Sequence, residues 1–344
     1  MKILFYQDLP SVNSTLLTWT LCEELRLRGH HVDYGKIKNE NLPVEHNTKY
    51  DWVHGAGTDS WPALRFAREI GAKCHIHLEG VAYWRVGFEN AVDWGYDKNH
   101  TPEEIQFYTN QYKDWMSAAF GADSCTVNGA RQVEAINKMF GKKLSNCHLM
   151  SCGVDARFAV TLPNFKRENY MVTVSRLAPN KKVFKIAEAI AILKKRGVNI
   201  PPWVIIGYGT REQVDKLIGI CKENAIALRL YSCYGAEKWL WIKRARLMLC
   251  GWMGIPPAEG IVCGTPVLNY SDLDIKELFD DTIWYGDDIE GYANQTEYLL
   301  NTDVSDKTQY AIDRLFDRNR HGKGELYATT QPRAALQYEK IFGG

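Results

Sequence analysis

The stretch Gly251-Trp252-Met253-Gly254-Ile255-Pro256-Pro257-Ala258-Glu259-Gly260-Ile261-Val262-Cys263-Gly264-Thr265-Pro266-Val267 decides the reading of this chain. An apolar run, Leu247–Cys250, reads as a strand that ends where the stretch begins. A Gly/Pro turn follows, and a short helix opens near Pro257. Proline is favoured in the first turn of a helix because its missing N–H was unpaired anyway. The free amides of such a turn, with the helix dipole behind them, make an anion site. Glu259 falls one turn into the helix. There a carboxylate can accept two hydroxyl hydrogen bonds from a ribose, or simply favour the helix N-terminus. Pro266–Asn269 then reads as the next strand.

This strand–turn–helix–strand unit belongs to a rhythm that runs through the whole chain. Ile3–Tyr6, His31–Tyr34, Asp51–His54, Cys74–Leu78, Ser124–Val127 and Cys147–Met150 read as strands. Helices fit between them at Ser14–Arg28, Trp61–Ile70, Pro102–Phe120 and Ala130–Phe140. Pro163–Asn169 reads as a polar linker, after which a second series starts at Tyr170–Ser175. Helix Lys181–Arg196 carries Ile186, Ala189, Ile190 and Leu193 at spacings of three and four, and Gly197 stops it. Trp203–Ile206, Leu228–Tyr231 and Ile283–Tyr285 are further strands. The alternation predicts an α/β protein made of two Rossmann-like, doubly wound domains facing across a cleft. Residues 1–162 form the first, and a further helix is expected at about 325–344. Residues 163–324 form the second. Ligands of such sheets bind beyond the carboxyl ends of the strands, so the chemistry is sought in the loops that follow them.

Composition narrows the classes. The chain has 344 residues, 45% hydrophobic and 24% charged, which suits a globular protein of two domains and argues against disorder. A net charge of +1 gives neither nucleic acid nor an anionic membrane a strong field to bind. The N-terminal apolar run is too short for a signal peptide, and no run of about 18 apolar residues marks a membrane span. The nine cysteines form no CxxC pair and read as reduced, buried thiols of a cytoplasmic protein. With 11 Trp and 18 Tyr the chain has ample material for stacking surfaces.

Two further loops bear on the second domain. Val174-Ser175-Arg176-Leu177-Ala178-Pro179-Asn180-Lys181-Lys182 joins its first strand to its first helix. A guanidinium at Arg176 and an ammonium at Lys181 suit a diphosphate that gains charge as its bond to a sugar breaks. The alternative is a solvated basic helix start, although cations there oppose the helix dipole. Gly207-Tyr208-Gly209 follows Trp203–Ile206 and allows tight turns or close backbone approach.

Together these segments resemble the retaining glycosyltransferases of family 4 (GT4, glycosyl transferases group 1), which have the GT-B fold. Tyr170–Arg196 resembles the family's "GRLxxxKG…EA" segment, Trp203–Leu217 its "hhGxG" strand and turn, and Ala258–Pro266 its "xEAxACGTPV" segment. Cys152–Phe158 resembles the interdomain "NGVDxxxF". The resemblance covers most of the second half, in order. It implies sugar transfer from a nucleoside-diphosphate sugar to a hydroxyl acceptor on a glycan, glycoprotein or lipid-linked molecule, with retention. It implies no essential metal and no cofactor beyond the donor. Arg176 and Lys181 would hold the donor phosphates and Glu259 the ribose. The loop Tyr231 to Tyr234 would border the base. Gly207, Gly254 and Ile255 complete the donor-binding set.

The sequence also departs from the family. The family carries two glutamates here, the second at Glu259; the first falls on Gly251, and Trp252 replaces a usual glycine. In the first half, Tyr50–Leu64 and Lys73–Gly80 resemble "YDVVHxH" and "TxHG", but Glu79 stands where a histidine is expected. A carboxylate at Glu79 can bond a sugar hydroxyl or steady oxocarbenium charge, which adds it to Arg176 and Lys181 as a catalytic candidate. It can equally face solvent or pair with Arg85. The loop Gln7–Ser14 lacks the family's glycine pair. Asp8 and Asn13 are acceptor candidates there, and Ser14 reads as a helix cap. Tyr83 and Trp84 open an aromatic run to Tyr96 that is either an acceptor platform or a loop burying its own rings. Asp272-Leu273-Asp274 has a metal–nucleotide DxD pattern, but helix capping explains it better.

Two alternatives stay open, a GT-B-like epimerase of sugar nucleotides and a non-catalytic sugar-nucleotide binder; a transferase that modifies DNA or glycoprotein is a substrate variant of the main reading, and the charge argues mildly against DNA. The lack of GxGxxG after the first strand argues against a Rossmann dehydrogenase. A monomer or homodimer is expected.

Overall fold

A computed structural model of the chain describes residues 1–6, 14–35, 49–78, 102–127, 130–150, 153–178, 181–252, 254–271, 276, 279–316 and 331–343. The described residues divide into two compact units, one reaching Gly153 and including the last helix, the other running from Val154.

The first unit is a six-stranded parallel sheet of β1 (Lys2–Phe5), β2 (His31–Tyr34), β3 (Trp52–Ala56), β4 (Lys73–Leu78), β5 (Ser124–Val127) and β6 (Cys147–Leu149), in the order β2-β1-β3-β4-β5-β6. The crossover helices are α1 (Ser14–Leu27), α2 (Ser60–Ile70), α3 (Pro102–Gly121) and α4 (Ala130–Phe140). Alternate strand residues Val53, Cys74, Ile76, Leu78, Cys125 and Val127 point to one face and pack with Leu64 of α2, Met116 of α3 and Ile136 of α4. Ile3, Phe5 and Trp52 point to the other.

The second unit repeats the plan with β7 (Glu168–Val174), β8 (Trp203–Ile206), β9 (Leu228–Tyr231), β10 (Ala245–Cys250), β11 (Val267–Tyr270) and β12 (Trp284–Gly286), again all parallel, in the order β12-β11-β10-β7-β8-β9. Its helices are α5 (Arg157–Thr161), α6 (Val183–Lys195), α7 (Arg211–Glu223), α8 (Gly235–Arg244), α9 (Ile255–Val262), α10 (Ile289–Asn301) and α11 (Ser305–Phe316). The face of α6 read from its spacing, Ile186, Ala189, Ile190 and Leu193, is buried in the main core cluster. A polar bolt crosses three strands inside that core. The Trp203 indole donates to Thr173 Oγ1 at 3.0 Å, and Thr173 in turn donates to the Leu249 carbonyl at 2.8 Å. Part of the expected linker is sheet: β7 already begins at Glu168, paired with Ala245 of β10.

The last helix, α12 (Gln331–Gly343), packs on the first unit. Ala334, Ala335, Tyr338 and Phe342 are buried with Leu21, Cys22 and Leu25 of α1. The Trp52 indole donates to the Phe342 carbonyl at 2.8 Å, and Glu339 accepts from Arg28 at 2.6 Å and pairs with His30 at 2.7 Å. The eight described cysteines are free thiols. Among the described residues no helix is long and apolar enough to cross a membrane.

Candidate functional site

In the second unit the strand order reverses direction between β7 and β10, its first and fourth strands. In open parallel sheets the loops at such a switch point diverge and leave a crevice at the carboxyl ends of the strands. The two loops there are Ser175–Lys182 after β7 and Gly251–Gly254 after β10, the two that the sequence singled out.

They touch closely. A Cβ on Gly251 would lie 2.1 Å from the carbonyl oxygen of Lys181, so only glycine fits. The absent first glutamate is therefore tied to a backbone contact, and no side chain can be restored there without moving Lys181. Lys182 takes a left-handed φ of 55° at the start of α6, a conformation that costs a non-glycine residue about 1–2 kcal/mol. The strain places two ammonium groups by one indole: Lys181 Nζ lies 5.6 Å and Lys182 Nζ 5.7 Å from the Trp252 ring centroid. Lys182 is also 5.4 Å from the ring of Tyr270. It is half-buried among these rings, in contrast to the exposed cation that a solvated helix start would give.

Burial, and next the charge of Arg176, push the Lys181 amine down to about 8. Arg176 itself is exposed where the chain leaves β7. Two cations that disfavour each other across a half-buried loop are a ready site for an anion, which relieves the repulsion.

The β8 loop closes on the same side. Gly207 donates to the Tyr231 carbonyl at 2.8 Å, and a Cβ on it would fall 1.8 Å from the Ser175 carbonyl oxygen. The two glycines of Gly207-Tyr208-Gly209 thus serve close approach to the β7 loop. Tyr231 stacks on Trp241 with centroids 4.8 Å apart, while Tyr208 and Tyr234 are exposed nearby in sequence.

Gly254 has φ 153° and ψ −162°, a region open only to glycine, and precedes α9. Pro256 and Pro257 follow Ile255 and carry no N–H. The anion site expected at this helix start therefore rests on fewer amides than an ordinary first turn offers, those of Gly254 and Ile255 ahead of the prolines.

Glu259 is buried, its side chain 9% exposed. Its Oε1 accepts from Lys238 Nζ at 2.6 Å. Its Oε2 is buried and has no hydrogen-bond partner among the described residues. A buried carboxylate oxygen left unpaired costs about 1–3 kcal/mol or more, which a ligand hydroxyl would recover.

Sequence reading missed Lys238 and Asn269. Asn269 is buried at the end of β11, donates to the Trp252 carbonyl at 3.3 Å and accepts from the Tyr270 N–H at 2.8 Å. The Tyr292 hydroxyl donates to the Cys250 and Leu268 carbonyls at 3.0 and 3.2 Å. These bonds fasten the Trp252 loop from below. Glu79, Asp8, Asn13, Tyr83 and Trp84 lie outside the described residues, as do Asp272 and Asp274.

No protein-family model matches the sequence, and no curated protein does. Solved structures do. A glycosyltransferase from Rickettsia africae matches with TM-score 0.68 at 10% identity, over 99% of this chain and 97% of that one. HepE of Anabaena, solved with UDP and glucose, matches with TM-score 0.66 at 11% identity over the full length of both chains. A mutant of S. aureus TarM, in complex with fondaparinux, alpha-GlcNAc-glycerol and UDP, matches with TM-score 0.61 at 14% identity over 85% of this chain. This chain spans about half, 55%, of the length of TarM. The likeness is one of fold: this chain's two Rossmann-like α/β units, each a six-stranded parallel sheet, match GT-B structures.

Proposed function

We propose that the chain transfers a sugar from a nucleoside-diphosphate sugar to a hydroxyl acceptor, as a retaining transferase of the family 4 type. The observation that carries this reading is the composition of one switch point. It holds a mutually repelling pair of cations, Arg176 and Lys181, and a buried carboxylate, Glu259, with one oxygen unpartnered among the described residues. A diphosphate and the ribose attached to it satisfy both. The complexes of HepE and TarM with UDP support the same reading.

On this reading Arg176 and Lys181 neutralise the charge that develops on the departing diphosphate. The amides of Gly254 and Ile255 add to that work. The departing phosphate takes the acceptor's proton in a front-face attack, which retains the anomeric configuration and needs no paired carboxylates of the hydrolase kind. Cationic side chains and amides do the work a metal would do. Glu79 is proposed to bond the donor sugar or steady its oxocarbenium charge, with Asp8, Asn13, Tyr83 and Trp84 on the acceptor side. Glu79→Gln is expected to lower turnover at least tenfold and leave nucleotide affinity nearly intact.

A thermal-shift panel of UDP, GDP, ADP, CMP and dTDP with their common sugars tests the reading. A ligand at a hundred times its Kd adds about 2.7 kcal/mol of stability. A clear winner fixes the donor class, and transfer is then assayed with that sugar. No shift with any member rejects the reading. A second reading, a binder of sugar nucleotides without transferase activity, is favoured by the backbone contact that bars a carboxylate from position 251. Binding with neither transfer nor donor hydrolysis supports it.

A further inference from the structure

We infer that Lys238 is a positioning residue that leaves Glu259 one oxygen for the nucleotide, so that the site reads one ribose hydroxyl and not two. The inference rests on the nucleotide-sugar reading above. A carboxylate with both oxygens open can accept two neighbouring hydroxyls side by side. In this chain Oε1 is held by the Lys238 ammonium at 2.6 Å, and Oε2 alone is without a partner among the described residues. The ammonium is itself fixed: Nζ lies 5.0 Å over the Trp239 ring, and the side chain is 21% exposed. Its orientation therefore sets that of the carboxylate.

The pair is not needed to dock α8. The Thr265 hydroxyl donates to the Ile242 carbonyl at 2.7 Å, and Cys263 Sγ approaches the Trp239 carbonyl at 4.0 Å. These contacts already join α8 to the segment that follows α9. Buried ion pairs are, besides, poor contributors to stability compared with apolar packing. What Lys238 adds is aim and charge balance at Glu259. It also links two parts of the site, because α8 begins directly after the loop Ser232–Tyr234, which is expected to border the base.

The test is a titration of the full chain with UDP, GDP and ADP, then with the 2′-deoxy and 3′-deoxy analogues of whichever binds. One analogue is expected to bind at least tenfold more weakly than the parent, and the other within about threefold of it. Lys238→Met is expected to raise the Kd of the parent nucleotide and the KM of its sugar donor at least tenfold. Its kcat should stay within about twofold, the signature of lost uniform binding. Lys238→Gln, which keeps one donor, should fall between. Equal penalties for the two analogues, or none for either, overturn the inference while nucleotide binding stands. So does a Lys238→Met protein with wild-type Kd. Failure of these three and of every other nucleotide in the thermal-shift panel to bind removes the nucleotide reading and the inference with it. The comparison of analogues needs no variant, so a misfolded mutant does not shield the idea.

Discussion

The carbonyl oxygen of Lys181 occupies the space in which a side chain at Gly251 would begin, 2.1 Å from the position of its Cβ. The Cβ of Lys182 stands 3.0 Å from the same point. The contact joins the two loops of the switch point through backbone, and it fixes where the Lys181 ammonium can go.

Gly251→Ala is therefore expected to displace the Lys181–Lys182 backbone and to cost both stability and anion binding. Overpacking of this kind typically costs about 1–3 kcal/mol. Thermal melting should show the loss, and titration with whichever nucleoside diphosphate the panel selects should show at least a tenfold rise in Kd. Gly251→Glu, which supplies the carboxylate that the resembled family 4 pattern has there, should be worse and gain no activity. A Gly251→Ala protein with wild-type melting and affinity would show that the loop gives way freely.

Lys181 makes binding depend on pH. Its amine is lowered to about 8, first by burial and then by Arg176. A bound diphosphate favours the charged form and raises that value. Between the free and bound values, binding takes up a proton. Affinity for whichever nucleoside diphosphate the panel selects should be flat below about pH 8 and fall by up to tenfold per unit above it. Lys181→Met should lose that break. Folding stability without ligand runs the other way: the unfolded lysine holds its proton up to about 10.5, so stability rises from about pH 8 to that value.

Arg176→Ala is expected to abolish transfer, because the developing phosphate charge loses its guanidinium. The same change removes the charge that depresses Lys181. The break in the affinity profile of the selected nucleoside diphosphate should therefore move to higher pH in this variant. Near wild-type turnover would reject the phosphate role, and an unmoved break would reject the coupling of the two cations.

Much of this site is legible in the sequence because its parts are local. The α6 spacing, the glycine turns and Glu259 behind two prolines each declare themselves within a few residues. Lys238 does not, since its partner is 21 residues away and it lies on a helix with no motif of its own. The reason for Gly251 is also hidden. Its sequence shows only a missing glutamate, whereas the cause is a backbone approach from another strand's loop. Nor does the alternation His54, His75, His77 reveal itself as a buried layer, since the helix that covers it lies some 250 residues later, with Tyr338 only 1% exposed.

That layer predicts acid sensitivity in the first unit. His75 shares its two ring nitrogens with Ser124 Oγ at 2.7 Å and Thr126 Oγ1 at 3.1 Å, and His77 meets Thr126 at 2.8 Å. His54 stacks on His75 at 5.1 Å, and the rings of Tyr338 and Phe342 stand edge-on to His75. Burial is the first cause that lowers all three imidazoles, His77 to about 4, and neighbouring imidazoles lower His54 and His75 further. The folded chain thus holds them neutral where the unfolded chain takes up protons. Stability from this layer is complete above about pH 6.5 and is lost as the pH falls below it. Each histidine held neutral in the fold contributes up to about 1.4 kcal/mol per pH unit on the acid side. Melting temperature should be level near pH 7 and drop steeply between pH 6 and 4.5. His54→Phe gives the sharper check. The Nδ1 of His54 is buried without a hydrogen-bond partner among the described residues, and its ring already packs against Phe5 at 4.4 Å. A phenyl ring there abandons no hydrogen bond from that atom and removes one titrating group. The variant should equal or exceed the wild type in melting temperature at pH 7 and exceed it clearly at pH 5. A wild-type melting temperature that does not change from pH 7 to 5 would mean that these imidazoles reach solvent before they protonate.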